Sequence, residues 1–183
     1  MNTDALNDFV KISDVDTLLI HEYKDVLPQE IITVWKNDGF GSFMNGYLKV
    51  INPNDFIKLL EESYFLANVS IPIFTTAFGD VITWRENRFM DIVLYRYGKN
   101  DVMLEGMDFF FDLLCDEPDE FINDFFTIDK YNKAVKMHGQ LAYDECFGYV
   151  PLLALGGKEI TKNLKKVKIR EHIALITALV GEI

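Results

Sequence analysis

The residues best suited to metal or acid–base chemistry are scattered along this 183-residue chain. Its three histidines, His21, His138 and His172, lie far apart in the sequence, and none has the HExxH or i,i+4 spacing of a metal site. We therefore interpret them as isolated surface or helix-end side chains. The sequence predicts no metal site, no cofactor and no catalytic residue.

Cysteine chemistry has one candidate. Cys115 and Cys146 are the only cysteines and lack CxxC spacing, so the ordinary interpretation is two reduced, buried thiols. Asp144 and Glu145 stand directly before Cys146, but a nucleophilic cysteine also needs a histidine base within hydrogen-bond reach. We predict instead a turn at the entry of a strand, where the two acids accept backbone hydrogen bonds. A small enzyme that uses this turn remains the alternative.

Other catalytic and phosphate-binding motifs are missing or incomplete. GxSxG, P-loop and GxGxxG sequences are absent, and Gly39-Phe40-Gly41 is only a fragment of a glycine loop. Glu105 and Asp108 could act as an acid–base pair, but carboxylates are so frequent here that one such pair carries little weight.

The distribution of charge is more informative than these motifs. The net charge is −11, and residues 1–129 carry −15 whereas residues 130–183 carry +4. Residues 100–129, here called the acidic segment, contain ten Asp or Glu and no Lys or Arg. Such a surface repels nucleic acid and attracts basic protein surfaces, although it could also be a solvated face that aids solubility. The predicted partner-binding residues are Asp108, Asp112, Asp116, Glu117, Asp119, Glu120 and Asp124.

The C-terminal part is basic and raises nucleic-acid binding as a further alternative. Its cationic residues include Lys158, Lys162, Lys165, Lys166, Lys168 and Arg170. Alternate lysines of a strand share one side and could follow a phosphate backbone, but they could equally protect an exposed strand edge. Because the whole chain is strongly negative, we expect no direct binding to nucleic acid.

The elements that would position these residues indicate an α+β fold. Stretches rich in β-branched and aromatic residues predict an antiparallel meander near residues 71–105, flanked by helices. Its strands are expected at residues 71–78, 81–86 and 89–97, with a fourth at 102–105. Their alternating pattern suits a sheet with one face covered by helices. A smaller C-terminal α+β part is expected to contain strands at 146–155 and 163–168 and a helix at 170–180.

Several helices are predicted around this sheet. A short amphipathic helix is expected at residues 4–11, and Pro28 is expected to open another that stops at Asp38-Gly39. In the acidic segment, Asp108, Asp112 and Asp116 recur every four residues, which predicts one helix with an acidic outer face. Its inward face would hold Phe109, Phe110, Leu113 and Leu114, and Phe121 and Phe125 of the next helix would join the core.

We expect the chain to be cytoplasmic. No run approaches the roughly 20 apolar residues of a membrane helix. The first 16 residues are acidic, where a secretory signal would begin with basic residues.

Two stretches resemble known families. Residues from about 6 to 114 resemble the GAD-like domain, especially Leu27-Pro28, GYLKVINP at 46–53, IPIFTTAFGD at 71–80 and VLYRYG at 93–98. The remainder is similar to the C-terminal domain of type VI secretion immunity proteins that neutralise a DNase effector. That similarity is carried by GQL at 139–141 and DECFGYVPLLALGG at 144–157. The resemblance implies a GAD-like part at 1–114 and an immunity-protein-like part at 115–183, packed as one globule.

The function implied by this resemblance is that of an antitoxin. Such a protein would bind a cognate secreted nuclease in the cytoplasm without catalysing a reaction, and the resemblance transfers no catalytic residue. The GAD-like name also implies, more weakly, a binding role connected with tRNA-dependent enzymes. The acidic segment agrees with the antitoxin expectation, since a nuclease must present a cationic groove to DNA.

Overall fold

The computed structural model describes residues 3–115 and 118–183 and confirms the α+β class. Seven antiparallel strands form one sheet in which each strand pairs with its neighbour in sequence, and two further strands form a hairpin. The strands are β1 (Val10–Ser13), β2 (Phe40–Phe43), β3 (Leu48–Val50), β4 (Ser70–Thr76), β5 (Val81–Arg85), β6 (Phe89–Leu94), β7 (Lys99–Glu105), β8 (Glu145–Tyr149) and β9 (Leu164–Lys168). The helices are α1 (Thr17–Tyr23), α2 (Gln29–Asn37), α3 (Ile57–Ser63), α4 (Phe110–Leu113), α5 (Pro118–Phe125), α6 (Ile128–His138) and α7 (Ile169–Val180).

The predicted meander is present as β4 to β7 and is extended by three strands on the N-terminal side. Gly41 lies within strand β2, and Gly39 directly precedes the strand. A Cβ at Gly41 would lie 2.4 Å from the Val10 carbonyl oxygen, so glycine allows β1 to approach β2 closely. Gly39 has a φ of +86° and ends α2 directly before this strand.

Both faces of the central strands are covered, whereas the alternating pattern suited a sheet with one face covered by helices. Adjacent residues of β5, Val81 and Ile82, contribute to different hydrophobic clusters, as successive strand residues must when both faces are packed. One cluster includes the buried side chains Trp35, Phe43, Phe74, Phe110 and Phe126. The other includes Phe56, Leu60, Tyr64, Ile173 and Ile176 from α3, α7 and their surroundings.

Helix prediction succeeded where sequence signals and packing agreed. Pro28 directly precedes α2, and Asn52 accepts a hydrogen bond from the backbone N–H of Asn54 at the turn before α3. The predicted helix at residues 4–11 was wrong: a 3-10 turn at Thr3–Leu6 is followed by β1. Strand pairing with β2 outweighed the amphipathic pattern of this short segment.

The helix that the four-residue spacing predicted from Asp108 onward is much shorter in the structure, whereas the next predicted helix is present as α5. Asp108 lies in the turn before α4, and α4 itself has only four residues. Phe110 and Phe111 are buried at 0% and 1% exposure, whereas Phe109 is 69% exposed. The inclusion of Phe109 in the core was therefore wrong, because the short helix turns Phe110 and Phe111 inward instead.

The C-terminal hairpin is shorter than predicted but packs tightly on the sheet. Strand β8 ends at Tyr149, and a 3-10 turn at Leu153–Leu155 follows. The backbone N–H of Phe147 donates to the Ala77 carbonyl at 2.7 Å, which joins β8 to the end of β4. Helix α7 then packs against α3 on the face of the sheet that carries the second cluster.

Candidate functional site

The acidic segment exposes carboxylates to solvent before and after residues 116–117. Asp108 and Asp124 are exposed, and Asp112 is half-buried within α4. Asp116 and Glu117 lie outside the described residues. For Asp119 and Glu120 only the helical backbone of α5 is described. The segment can therefore offer carboxylates to a cationic partner, with Phe109 exposed directly beside Asp108.

The Cys146 region is built for packing. Cys146 is 0% exposed, and burial raises the pKa of its thiol to about 12. A thiol of this kind is almost entirely protonated at neutral pH and is a poor nucleophile. Asp144 and Glu145 serve local structure: Asp144 accepts from Lys168 at 2.7 Å, and Glu145 accepts from the backbone N–H of Ala142 at 2.9 Å.

Buried charged residues form a different set of sites, and the sequence analysis predicted none of them. Asp80, which is 0% exposed, pairs with Arg96 and accepts a hydrogen bond from the Thr76 hydroxyl at 2.9 Å. Burial raises the pKa of Asp80 and the Arg96 charge opposes this rise. Burial also acts to lower the pKa of Arg96, but the charge of Asp80 raises it. Each member of the pair thus stabilises the charged form of the other.

Two more charged residues are enclosed by the sheet. Asp91 is 0% exposed and accepts hydrogen bonds from Arg85 and from the Tyr64 hydroxyl. Lys49 is 1% exposed and donates to the carbonyl oxygens of Ala142 and Glu145. Burial lowers the pKa of Lys49 to about 8.

The remaining candidates of the sequence are distributed over separate surfaces. Glu105 accepts two hydrogen bonds from Arg88 at 2.7 and 2.9 Å, an exposed ion pair, so it does not act with Asp108 as an isolated carboxylate pair. On β9 the exposed Lys166 donates to the Gln140 carbonyl. Lys168 is engaged by Asp144, which leaves little of this strand as a free phosphate track.

The histidines occupy three different environments. His21 is exposed on α1, and His138 ends α6 with its ring 6.2 Å from that of Phe147. His172 is buried on α7, where burial lowers its pKa. Over residues 3–115 and 118–183, no group of three or more His, Cys, Asp and Glu side chains could hold a metal ion. In the same ranges, no helix has the length and apolar character that crossing a membrane requires.

Comparison with known families assigns the larger part of the chain. The sequence model of the GAD-like domain matches residues 3–96, just over half of the chain. The chain belongs to the GAD-like domain family. The model described as type VI secretion immunity protein Tdi1, C-terminal, matches residues 104–180. The second match indicates a type VI secretion immunity protein, a class that suggests a toxin partner and a non-enzymatic role.

A solved structure has the same fold. The crystal structure of Atu4351 from Agrobacterium tumefaciens superposes with a TM-score of 0.74 at 16% sequence identity. The alignment covers 98% of this chain and 89% of that chain. No curated protein matches the chain. At this identity the likeness shows a shared fold.

The two family matches locate the features described above. The whole acidic segment from Leu104 onward lies in the Tdi1-like part, while Lys49, Asp80 and Arg96 lie in the GAD-like part. Lys49 thus donates from the GAD-like sheet to carbonyls of the Tdi1-like part. The alternating pattern of β3 did not reveal this role, because nothing near Lys49 in sequence shows that its strand is enclosed on both faces.

Proposed function

We propose that this GAD-like protein is an immunity protein that binds a cognate secreted nuclease in the cytoplasm and neutralises it. The observation that carries the proposal is the coincidence of two features in one stretch: residues 104–180 match the Tdi1 C-terminal model, and the acidic segment lies almost entirely within that match. The GAD-like sheet would serve as the scaffold on which the segment is held.

Electrostatics supports a nuclease as the partner. A DNA-cleaving enzyme presents a cationic groove to the phosphate backbone, and the acidic segment, which holds ten Asp or Glu and no Lys or Arg in its own sequence, offers the opposite charge. We propose Asp108, Asp112, Asp116, Glu117, Asp119, Glu120 and Asp124 as the contacting residues. Complementary charge accelerates encounter and makes association dependent on salt.

Phe109 adds an anchor of different chemistry. Its ring is 69% exposed beside Asp108, although the neighbouring Phe110 is fully buried. Aromatic side chains surrounded by polar residues commonly contribute most of the binding energy at protein interfaces. In this proposal the carboxylates guide the toxin to the segment, and Phe109 is buried once the complex has formed.

Charge neutralisation tests the guiding role. The partner protein is first isolated by its binding to the tagged full-length chain. The double variant Asp108→Asn with Asp124→Asn should then associate with this partner about tenfold more slowly at low salt, and the difference should be smaller at high salt. The matched control, Asp25→Asn with Glu61→Gln, removes the same charge from exposed positions outside the segment. Association rates are measured against ionic strength for both pairs. Equal slowing by the two pairs would contradict a specific role of the segment, and recovery of no nuclease would contradict the proposed function.

The anchor is tested separately on the dissociation rate. Phe109→Ala should raise the dissociation rate constant by about tenfold or more and leave the salt dependence of association unchanged. Phe65→Ala provides the control, because Phe65 is also exposed, at 57%, but lies next to α3 in the GAD-like part. An unchanged dissociation rate for Phe109→Ala would remove Phe109 from the interface.

We also propose that the parts at residues 1–114 and 115–183 pack as one globule. This is supported by the hydrogen bonds of Lys49 to Ala142 and Glu145, and by the backbone bond between Phe147 and Ala77. Such packing would hold the acidic segment in a fixed orientation on the sheet.

A further inference from the structure

A cavity of about 400 Å³ lies where the end of the GAD-like match meets the Tdi1-like part. This junction cavity is bounded by the turn after β6 on one side and by the 3-10 turn at Leu153–Leu155 and α7 on the other. Its lining comprises Tyr95, Arg96, Tyr97, Gly98, Tyr149, Leu152, Leu153, Ala154, His172, Ile176 and Val180. The volume falls in the range of roughly 300–1,000 Å³ that is usual for small-molecule sites.

The GAD-like wall of the cavity is fixed by its own interactions. The Arg96 guanidinium lies 4.9 Å from the centre of the Phe78 ring and 4.7 Å from that of Tyr97. Its ion pair with Asp80 anchors the same side chain from behind. The Tyr95 hydroxyl lies 2.7 Å from that of Ser63. A wall held in this way is formed before any ligand arrives, which lowers the entropic cost of binding.

The junction cavity has no net charge to offer a ligand. Arg96 is its only permanently charged lining residue, and Asp80 neutralises it. His172 is neutral at pH 7 because burial lowers its pKa. At the rim, Glu159 accepts from both Lys130 and Tyr97, so this carboxylate is also balanced by a cation. The absence of excess charge favours an uncharged ligand.

One buried polar side chain of the lining lacks a hydrogen-bond partner among the described residues. Tyr149 is 2% exposed and its hydroxyl makes no hydrogen bond there. His172, which is 6% exposed, lines the same cavity, and burial lowers its pKa. Buried hydroxyls are normally satisfied, so the unpaired Tyr149 hydroxyl beside a cavity points to a group that arrives with a ligand.

We propose that the junction cavity binds a small, uncharged, planar molecule that carries a hydroxyl or amide group. Its apolar body would pack between Tyr95 and the aliphatic side chains of Leu152 and Ile176. Its polar group would form hydrogen bonds with Tyr149 and His172. The exposed acids Asp108 and Asp124 do not line the cavity, so this site is independent of the proposed toxin interface.

The test uses 2-naphthol, which is planar and uncharged at pH 7, with the full-length protein. Binding should saturate, and the ring protons of His172 should shift in NMR spectra while those of His21 and His138 do not. The anion 2-naphthoate should bind at least about tenfold more weakly, because no unbalanced cation faces it. No saturable binding of 2-naphthol, shifts confined to another histidine, or tighter binding of the anion would each overturn the proposal.

Variants locate the site and its polar contacts. Ala154→Trp should fill the cavity from an exposed position and weaken binding by about tenfold or more, whereas Leu175→Trp on the outer face of α7 should not change it. Val180→Trp replaces Ala154→Trp if that variant does not fold. Tyr149→Phe should weaken 2-naphthol binding several-fold without lowering stability, since its hydroxyl has no protein partner. Unchanged affinity in the cavity-filling variants would overturn the site, and unchanged affinity in Tyr149→Phe would overturn its hydrogen bond.

Discussion

The enclosed sheet and the acidic segment differ in how their charged side chains are balanced. In the sheet every fully buried charge has a partner: Asp80 has Arg96, Asp91 has Arg85, and Lys49 has two backbone carbonyls. The acidic segment holds ten acids and no Lys or Arg in its own sequence, and its exposed Glu105 pairs with Arg88 from the turn between β5 and β6. The comparison shows that desolvation makes pairing of a buried charge obligatory, whereas water screens exposed like charges well enough for the fold to tolerate many of them in one stretch.

The sharpest way to break this comparison is to remove one member of a buried pair. Arg96→Met should cost about 3–5 kcal/mol, since it leaves the carboxylate of Asp80 uncompensated at 0% exposure. In this variant the folded-state pKa of Asp80 lies above the unfolded value, so stability falls as pH rises and returns in part below neutrality. Urea unfolding at pH 7 and pH 5 measures both effects. The double variant Asp80→Asn with Arg96→Met is the control and should recover much of the loss; a loss below 1 kcal/mol in the single variant would contradict the argument.

The buried lysine sharpens the comparison through pH. The pKa of Lys49 is about 8 in the folded protein and 10.5 as its ordinary value. Between these values the unfolded chain binds more protons at this lysine, so the titration of Lys49 should add a rise of about 2 kcal/mol to the free energy of unfolding from pH 7.5 to 9.5. Cys146, whose folded pKa is raised, contributes in the opposite direction in the wild type and in the variants alike, so the comparison between them isolates Lys49. Lys49→Met should lack this rise, and Lys58→Met, which alters an exposed lysine of α3, should retain it. Parallel curves for the wild type and Lys49→Met would show that Lys49 does not titrate in this range.

The smallest effect is expected in the acidic segment. Asp108→Asn with Asp124→Asn should change the free energy of unfolding by no more than about 0.5 kcal/mol, because both side chains are exposed. A small gain is the favoured direction, since the substitutions relieve repulsion between like charges. Denaturant unfolding beside the wild type measures it. A loss of stability above 1 kcal/mol would mean that these acids stabilise the fold, which would contradict a role in partner binding alone.

How far the sequence predicted the candidate sites depended on burial. The acidic segment was visible because its feature, an excess of one charge, is a property of composition that exposure preserves. The junction cavity was not visible, because Arg96 is brought to Tyr149 and His172 by contacts between distant parts of the chain. Phe109 and Phe110 show on a smaller scale that burial depends on tertiary packing. The sequence predicted both in the core, but only Phe110 is buried.

By itself the sequence determined the α+β class, the meander and the excess of acids in residues 100–129 of this protein. Strand residues reveal themselves through local content, turn glycines and period-two spacing, and these signals act within a few residues. Only the tertiary structure decided that β1 and β2 extend the sheet, that both of its faces are covered, and that Lys49, Asp80 and Cys146 are enclosed. The physical reason is that burial of a side chain is set by elements far away in sequence, and with it the pKa of that side chain and the need to pair it.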